Sequence, residues 1–152
     1  MKKVISIVTP FFNEEYNIFE LYKRIKLLIQ NEKKYDFEII AVEHGSSDTT
    51  FKKLLTIHKK DKSFKILQLS RNFGTADAGI SAGLFFAKGH AAIILMADLQ
   101  EPPELISKFI RKWEEGYDVV NGVVKKRPDS TYFRRISSVL FYKVLNKLTL
   151  LV

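Results

Sequence analysis

Short apolar runs alternate with amphipathic segments along this chain. Val4–Thr9 reads as a strand, and in Ile18–Gln30 the residues Ile18, Leu21, Ile25 and Leu28 recur at the three- and four-residue steps of one helix face. Phe37–Val42 is the next strand, and Ser47 or Asp48 can cap a helix running to about Lys59. Phe64–Leu69 predicts a third strand, Thr75–Ala87 a helix of small residues, and Ala91–Leu95 a fourth strand that is almost wholly apolar. Pro102 and Pro103 suit the first turn of a helix ending near Gly116. Val119–Val123 predicts a fifth strand, and Tyr132–Leu148 a last helix.

Strands alternating with helices imply an α/β fold, with a parallel sheet covered on both faces. Such sheets bind ligands at the carboxyl ends of their strands. The chain's unusual polar clusters fall at those ends: Pro10–Glu15, Glu43–Asp48, Ser70–Gly74 and Asp98–Glu101. A site on that edge is expected, with its ligand still open.

Composition narrows the field. The chain has 152 residues, 46% of them hydrophobic, enough for one domain over residues 1–152 with its own core. It has no cysteine, which excludes disulfides, thiolate metal sites and cysteine nucleophiles. The apolar stretch Val4–Val8 is too short for a signal peptide, and no run approaches the roughly 18 apolar residues of a membrane span. A cytoplasmic protein is expected, with any membrane contact peripheral. The net charge of +8 suits nucleotides, nucleic acid or acidic lipid headgroups, or simply reflects a solvated lysine-rich surface. The lysines are dispersed and no nucleic-acid motif accompanies them, which disfavours nucleic-acid binding. No G-x-G-x-x-G follows the first strand, which disfavours a nicotinamide-dependent enzyme.

Each polar cluster has an ordinary reading beside a functional one. Thr9–Glu15 can be a plain strand-to-helix turn with Asn13 as its cap. Val42–Asp48 can be a capped turn in which Gly45 permits close backbone approach, although that leaves two ionisable groups, Glu43 and His44, unexplained at a strand end. Arg71 can clamp a phosphate or stack on a base, or lie idle on the surface. Asp98 follows the most apolar strand, so its carboxylate emerges at the sheet edge. Gln100 points the same way if the backbone stays extended, and the two would then offer oxygen ligands to Mg²⁺ or Mn²⁺. The alternative is a helix cap before the prolines.

Taken together, TPFFNEEYN, EHGSSDTT, SRNFG with Ala82-Gly83 downstream, ADLQEPPEL and WEEGYDVVNGV resemble family 2 glycosyltransferases in order and spacing. Among these the chain looks most like the polyprenyl-phosphate sugar transferases, the group of dolichol-phosphate mannose synthase. The resemblance implies a GT-A fold, a nucleotide diphosphate sugar donor and a divalent metal, Mg²⁺ or Mn²⁺. By position it implies that Pro10, Phe12, Glu14, Glu43, His44, Arg71, Ala97 and Asp98 line the nucleotide site, and that Asp98 and Gln100 hold the metal, Asp98 being the catalytic residue.

The chain departs from the family's pattern at the same site. Phe12 stands where tyrosine is usual, and Glu43-His44 replaces two aspartates. The family's Asp-x-Asp reads Met96-Ala97-Asp98, and Val124 stands where an arginine is frequent. A weak metal site is therefore expected, together with nucleotide affinity that follows His44 between about pH 5 and 8. The implied reaction transfers a sugar, with inversion, to a polyprenyl phosphate or related cell-envelope glycan acceptor. The alternative is a catalytically impaired relative that binds a nucleotide sugar or a protein partner. Family members continue into an acceptor-binding segment and often membrane helices; this sequence ends at Leu150-Leu151-Val152, and the expectation is a chain without those parts. Residues of about 131–149 form a basic, broadly apolar stripe, with Phe133, Ile136, Leu140, Val144 and Leu148 at helical steps beside Arg134, Arg135, Lys143 and Lys147. That helix either lies on an anionic membrane surface or packs against protein.

Overall fold

A computed structural model of the chain describes residues 2–123. Contacts divide the chain into two compact units, Met1–Val119 and Val120–Val152. The first holds every element below, and the helix expected at Tyr132–Leu148, with its basic stripe, lies outside the described residues.

The order is β1 (Val4–Phe11), α1 (Ile18–Asn31), β2 (Asp36–Glu43), α2 (Thr50–Lys60), β3 (Phe64–Gln68), α3 (Ala76–Phe86), β4 (Ala91–Ile94), a 3₁₀ turn (Pro103–Leu105) and α4 (Ile106–Glu114). The sheet runs β3-β2-β1-β4, with every pairing parallel. The chain builds outward from β1 to β3, then crosses back to place β4 on β1's other side. The β1–β4 boundary is thus the topological switch point, where open α/β sheets leave a crevice at the carboxyl edge.

The first two strands run further than the sequence pattern indicates, while β3 and β4 each end one residue earlier. β1 reaches Phe11 and β2 reaches Glu43, in register Phe11↔Glu43, so the parallel ladder carries both chains to the lip of the site. The expected strand at Val119–Val123 does not form. Apolar character alone does not make a strand; it needs a neighbour for its backbone groups, and these residues have none among the described elements. Asn13 is not a helix cap either: it sits at φ 54°, and Asn17 occupies the N-cap of α1. The N-cap of α2 is Thr49, while Asp48 Oδ1 accepts from the Thr50 amide at 2.8 Å.

Alternation along the strands sorts the core into two faces. Ile5, Ile7 and Phe11 of β1, with Ile39 and Ala41 of β2, join Ile18, Leu21, Ile25 and Leu28 of α1 and Leu54 and Ile57 of α2 in one cluster. Val8, Ile40 and Val42 face the other way. There α3 lies on β1 and β2 through its glycines. A Cβ at Gly83 would stand 2.3 Å from Val8 Cγ1 and 2.9 Å from Val42 Cγ2. The helix reaches the sheet because that position has no side chain.

Glu38 fixes the opposite edge. It is buried, and its carboxylate accepts from Ser6 Oγ at 2.6 Å, the Lys88 amide at 2.7 Å and Lys65 Nζ at 2.5 Å. Burial pushes its pKa up, but the hydrogen bonds from Lys65, Ser6 and Lys88 outweigh this and hold it below the ordinary 4.5. This carboxylate ties the turn between α3 and β4 to the sheet.

The carboxyl edge is held by two interlocked loops. Asn13 N donates to Ser46 Oγ at 3.1 Å, and Asn13 Oδ1 accepts from the Ser47 amide at 2.9 Å. The Glu14 amide donates to Thr50 Oγ1 at 2.9 Å and the Glu15 amide to Asp48 Oδ2 at 3.3 Å. Lys53 Nζ closes the lattice on the Glu15 carbonyl at 2.9 Å. Gly45, at φ +74°, brings the third loop in as well: a Cβ there would stand 2.6 Å from the Asn72 amide nitrogen.

Two outcomes follow from this packing. Gly83→Ala adds helix propensity worth up to about 1 kcal/mol, yet overpacks the contact with Val8, so it should destabilise by about 1–2 kcal/mol net in urea denaturation. An unchanged midpoint would contradict the close α3 contact. Asp48→Ala leaves the Glu15 and Thr50 amides without their acceptor and should cost about 1–3 kcal/mol. Hydrogen exchange should accelerate at those two amides, and unchanged exchange there would contradict the interlock.

Candidate functional site

A cavity of about 180 Å³ opens at the carboxyl edge of the sheet. Pro10, Phe11, Phe12 and Glu14 line it from the end of β1, and His44 from the end of β2. Asn72, Gly74, Thr75 and Ala76 come from the loop into α3, and Met96, Ala97 and Asp98 from the segment after β4. The cavity therefore sits at the switch point, and each wall is the continuation of a different strand.

Of the residues the sequence singles out, the cavity brings together Pro10, Phe12, Glu14, His44, Ala97 and Asp98. Glu43, Arg71 and Gln100 are not on its wall. Glu43 is buried, and its Oε1 accepts from the Ser46 amide at 2.5 Å, so it shapes the turn behind His44. Arg71 is exposed and lies 5.0 Å from the centre of the Phe73 ring, a cation–π contact. Gln100 is exposed because the backbone does not stay extended: Leu99 adopts φ 59°, and the Gln100 amide turns back to Asp98 Oδ1 at 3.0 Å. Asp98 thus enters the cavity without Gln100.

His44 is the most enclosed polar group on the wall, 3% exposed. Its ring stacks on Phe73 at 6.1 Å between centroids and meets Phe12 edge-on at 6.5 Å. Its Nε2 accepts from the Phe73 amide at 3.0 Å. A nitrogen that accepts this bond carries no proton, so the neutral ring has its hydrogen on Nδ1. Phe12 and Phe73, the two rings that meet the imidazole, remain about half exposed.

Asn72 and Thr75 complete the wall and escape sequence reasoning as site residues. Asn72 Oδ1 accepts from the Gly74 amide at 2.6 Å, a local turn bond that positions the loop into α3. The legible signal was the Asn72-Phe73-Gly74 turn itself, next to Arg71, which drew attention by its charge.

Among the described residues no group of three His, Cys, Asp or Glu side chains converges on one point. The cavity offers the Asp98 carboxylate, whose Oδ1 already accepts from Gln100, and the Glu14 carboxylate, whose Oε2 accepts from Asn17 Nδ2 at 2.7 Å. Met96 adds only a thioether. This donor set fits a hard cation completed by oxygens of a bound ligand, and does not fit one caged by protein alone.

Comparison with known proteins agrees with this arrangement. The family described as Glycosyl transferase family 2 matches residues 6–151. An uncharacterized glycosyltransferase of Synechocystis sp. is 41% identical over 145 residues, covering 95% of this chain and 45% of the relative. Another, YkcC of Bacillus subtilis, is 42% identical over 144 residues, covering 95% and 44%. The chain thus spans less than half the length of these curated relatives. Among solved structures, the mannosyltransferase PcManGT from Pyrobaculum calidifontis in complex with GDP-Man and Mn²⁺ superposes with TM-score 0.63 at 20% identity, over 85% of this chain and 37% of that one. S. aureus TarS 1-349 in complex with UDP superposes with TM-score 0.55 at 22% identity, over 83% and 40%. The fold is the GT-A arrangement of these enzymes, and the chain belongs to glycosyl transferase family 2.

Proposed function

We propose that this chain forms the donor-binding part of an enzyme that moves a sugar from a nucleotide diphosphate sugar to a polyprenyl phosphate or a related cell-envelope glycan acceptor. The observation that carries the reading is the Asp98 carboxylate, which lines the same switch-point cavity as the half-exposed Phe12 ring. The aromatic end suits a base and the Asp98 end a diphosphate with its cation. A divalent metal, Mg²⁺ or Mn²⁺, would be held by Asp98 together with the diphosphate oxygens, and would supply charge neutralisation on the departing diphosphate. Asp98 orients that end of the donor. Phe12 offers its ring to the base, and Glu14 lines the same cavity.

The acceptor follows from acid–base chemistry. An acceptor phosphate is already ionised at neutral pH and needs no general base, whereas a sugar hydroxyl does. The cavity's titratable groups are Glu14, His44 and Asp98. Glu14 is engaged with Asn17, His44 Nε2 with Phe73, and Asp98 is assigned to the diphosphate. A lipid phosphate is thus the acceptor that asks least of these residues. On this reading the protein works in the cytoplasm, at the inner face of the membrane. No helix among the described residues is long and apolar enough to cross one.

A second reading, a nucleotide-sugar-binding module without turnover, draws on Met96 and His44. At both positions the cavity presents a group with no negative charge where the family's pattern has a carboxylate.

Titration of Mn²⁺ into the chain with CDP or UDP present tests the site. Asp98→Ala should weaken metal binding at least about tenfold, and Met96→Asp should tighten it by a similar factor. Equal binding by Asp98→Ala and the parent would contradict the assignment. Transfer of labelled sugar to a polyprenyl phosphate by the full-length enzyme separates the two readings.

A further inference from the structure

We infer that Leu99 is a positioning residue for the cation end of the site: its strained backbone and its anchored side chain together hold the Asp98 carboxylate at the cavity. This inference rests on the nucleotide reading above and deepens it.

Among the described residues two that are not glycine have left-handed backbones, Asn13 at φ 54° and Leu99 at φ 59°. Both adjoin the cavity wall: Asn13 stands between Phe12 and Glu14, and Leu99 follows Asp98. Asparagine visits this region readily, because its short polar side chain can bond locally. Leucine has no such relief, and its Cβ crowds the following carbonyl oxygen. A glycine would take the same backbone without strain. What leucine adds is a side chain, half-buried and packed against the core cluster that contains Ile5, Ile7 and Phe11.

A strained residue persists only where its surroundings over-determine it. Here the chain is fixed on both sides. Before the turn, the Leu95 amide donates to the Val8 carbonyl at 3.0 Å, and Ala97 is buried. After it, the Leu105 amide donates to the Pro102 carbonyl at 3.0 Å, and Pro103 is buried. Asp98-Leu99-Gln100 bridges these anchors, and the Gln100 amide closes the bridge on Asp98 Oδ1 at 3.0 Å. The left-handed step at Leu99 brings that amide back.

The consequence falls on Asp98. Its carboxylate is held by the Gln100 amide, so its direction follows the turn, and the turn follows Leu99. Groups that orient a metal ligand act on affinity without touching the metal. Leu99 does so through two separable properties, an apolar anchor and a left-handed backbone. Methionine keeps the anchor and adds no strain, being similar in volume and unbranched at Cβ. Isoleucine keeps the volume, but its branched Cβ makes a left-handed backbone a severe outlier. Glycine keeps the backbone and loses the anchor.

The experiment titrates Mn²⁺ into the full chain with CDP or UDP in excess and reads free Mn²⁺ by electron paramagnetic resonance. Urea denaturation of each variant establishes that it is folded. Leu99→Ile and Leu99→Gly should each weaken Mn²⁺ binding at least about tenfold, as loss of a group that orients a metal ligand does. Leu99→Met, a volume-conserving exchange, should stay within about threefold of the parent. If Leu99→Gly does not fold, the comparison of Leu99→Ile with Leu99→Met decides, because both keep an apolar side chain of similar size. Mn²⁺ binding as tight as the parent's in folded Leu99→Ile or Leu99→Gly overturns the assignment, and so does Leu99→Met binding as weakly as Leu99→Ile. Either result leaves the nucleotide reading standing. If the parent itself binds no Mn²⁺ with either diphosphate, the cation reading falls, and the role of Leu99 with it.

Discussion

Everything at the candidate site depends on the interlock between the loops after β1 and β2. A carboxyl edge of a parallel sheet offers only the ends of strands, and loops leaving it are free to splay. Here the Asn13, Glu14 and Glu15 amides find acceptors on Ser46, Thr50 and Asp48, and Asn13 returns the bond to Ser47. Each of these donors would otherwise face solvent or an unpaired interior. The loops therefore hold one geometry. Phe12 and Glu14 from one loop and His44 from the other then face a common cavity. The polar run Ser46-Ser47-Asp48-Thr49-Thr50 is scaffolding for the site and is not itself on the cavity wall.

A second constraint acts at the back of the sheet. Gly79 and Gly83 let α3 lie against β1 and β2, and the closeness is large enough that a methyl at Gly83 would meet Val8 at 2.3 Å. The start of α3 is thereby pulled over the carboxyl edge, where Thr75 and Ala76 close the cavity. The Glu38 carboxylate holds the other end of the same crossover through Lys88. Site geometry is thus over-determined from two sides: hydrogen bonds between loops in front, and glycine-mediated packing behind.

The sequence made much of this legible, because hydrophobic period reports burial directly. Ile18, Leu21, Ile25 and Leu28 read as one helix face, and all are buried. The four strands lie where the apolar runs predict, and the polar clusters fall at one edge, because parallel topology forces that placement. What was not legible depends on contacts distant in sequence. Asn13 looked like a cap and instead adopts a left-handed conformation to reach Ser47, 34 positions away. Gln100 seemed a companion to Asp98, but a positive φ at Leu99 turns it outward. Val119–Val123 carries strand-like residues without forming a strand. The family resemblance named Asp98 and His44 as site positions; the Nε2 bond to Phe73 gives His44 its polarity, and no spacing in the sequence reveals that bond.

The central claim is that a nucleoside diphosphate occupies the switch-point cavity. Amide chemical-shift mapping of the ¹⁵N-labelled chain, titrated with the tightest-binding of the common nucleoside diphosphates and Mg²⁺, tests it most directly. The account predicts saturable shifts at Phe12, Glu14, His44, Phe73, Ala97 and Asp98, with Gly89 and His90 at the opposite edge unmoved. Shifts concentrated at Gly89 and His90, or none at His44 and Asp98 under saturating nucleotide, would contradict it.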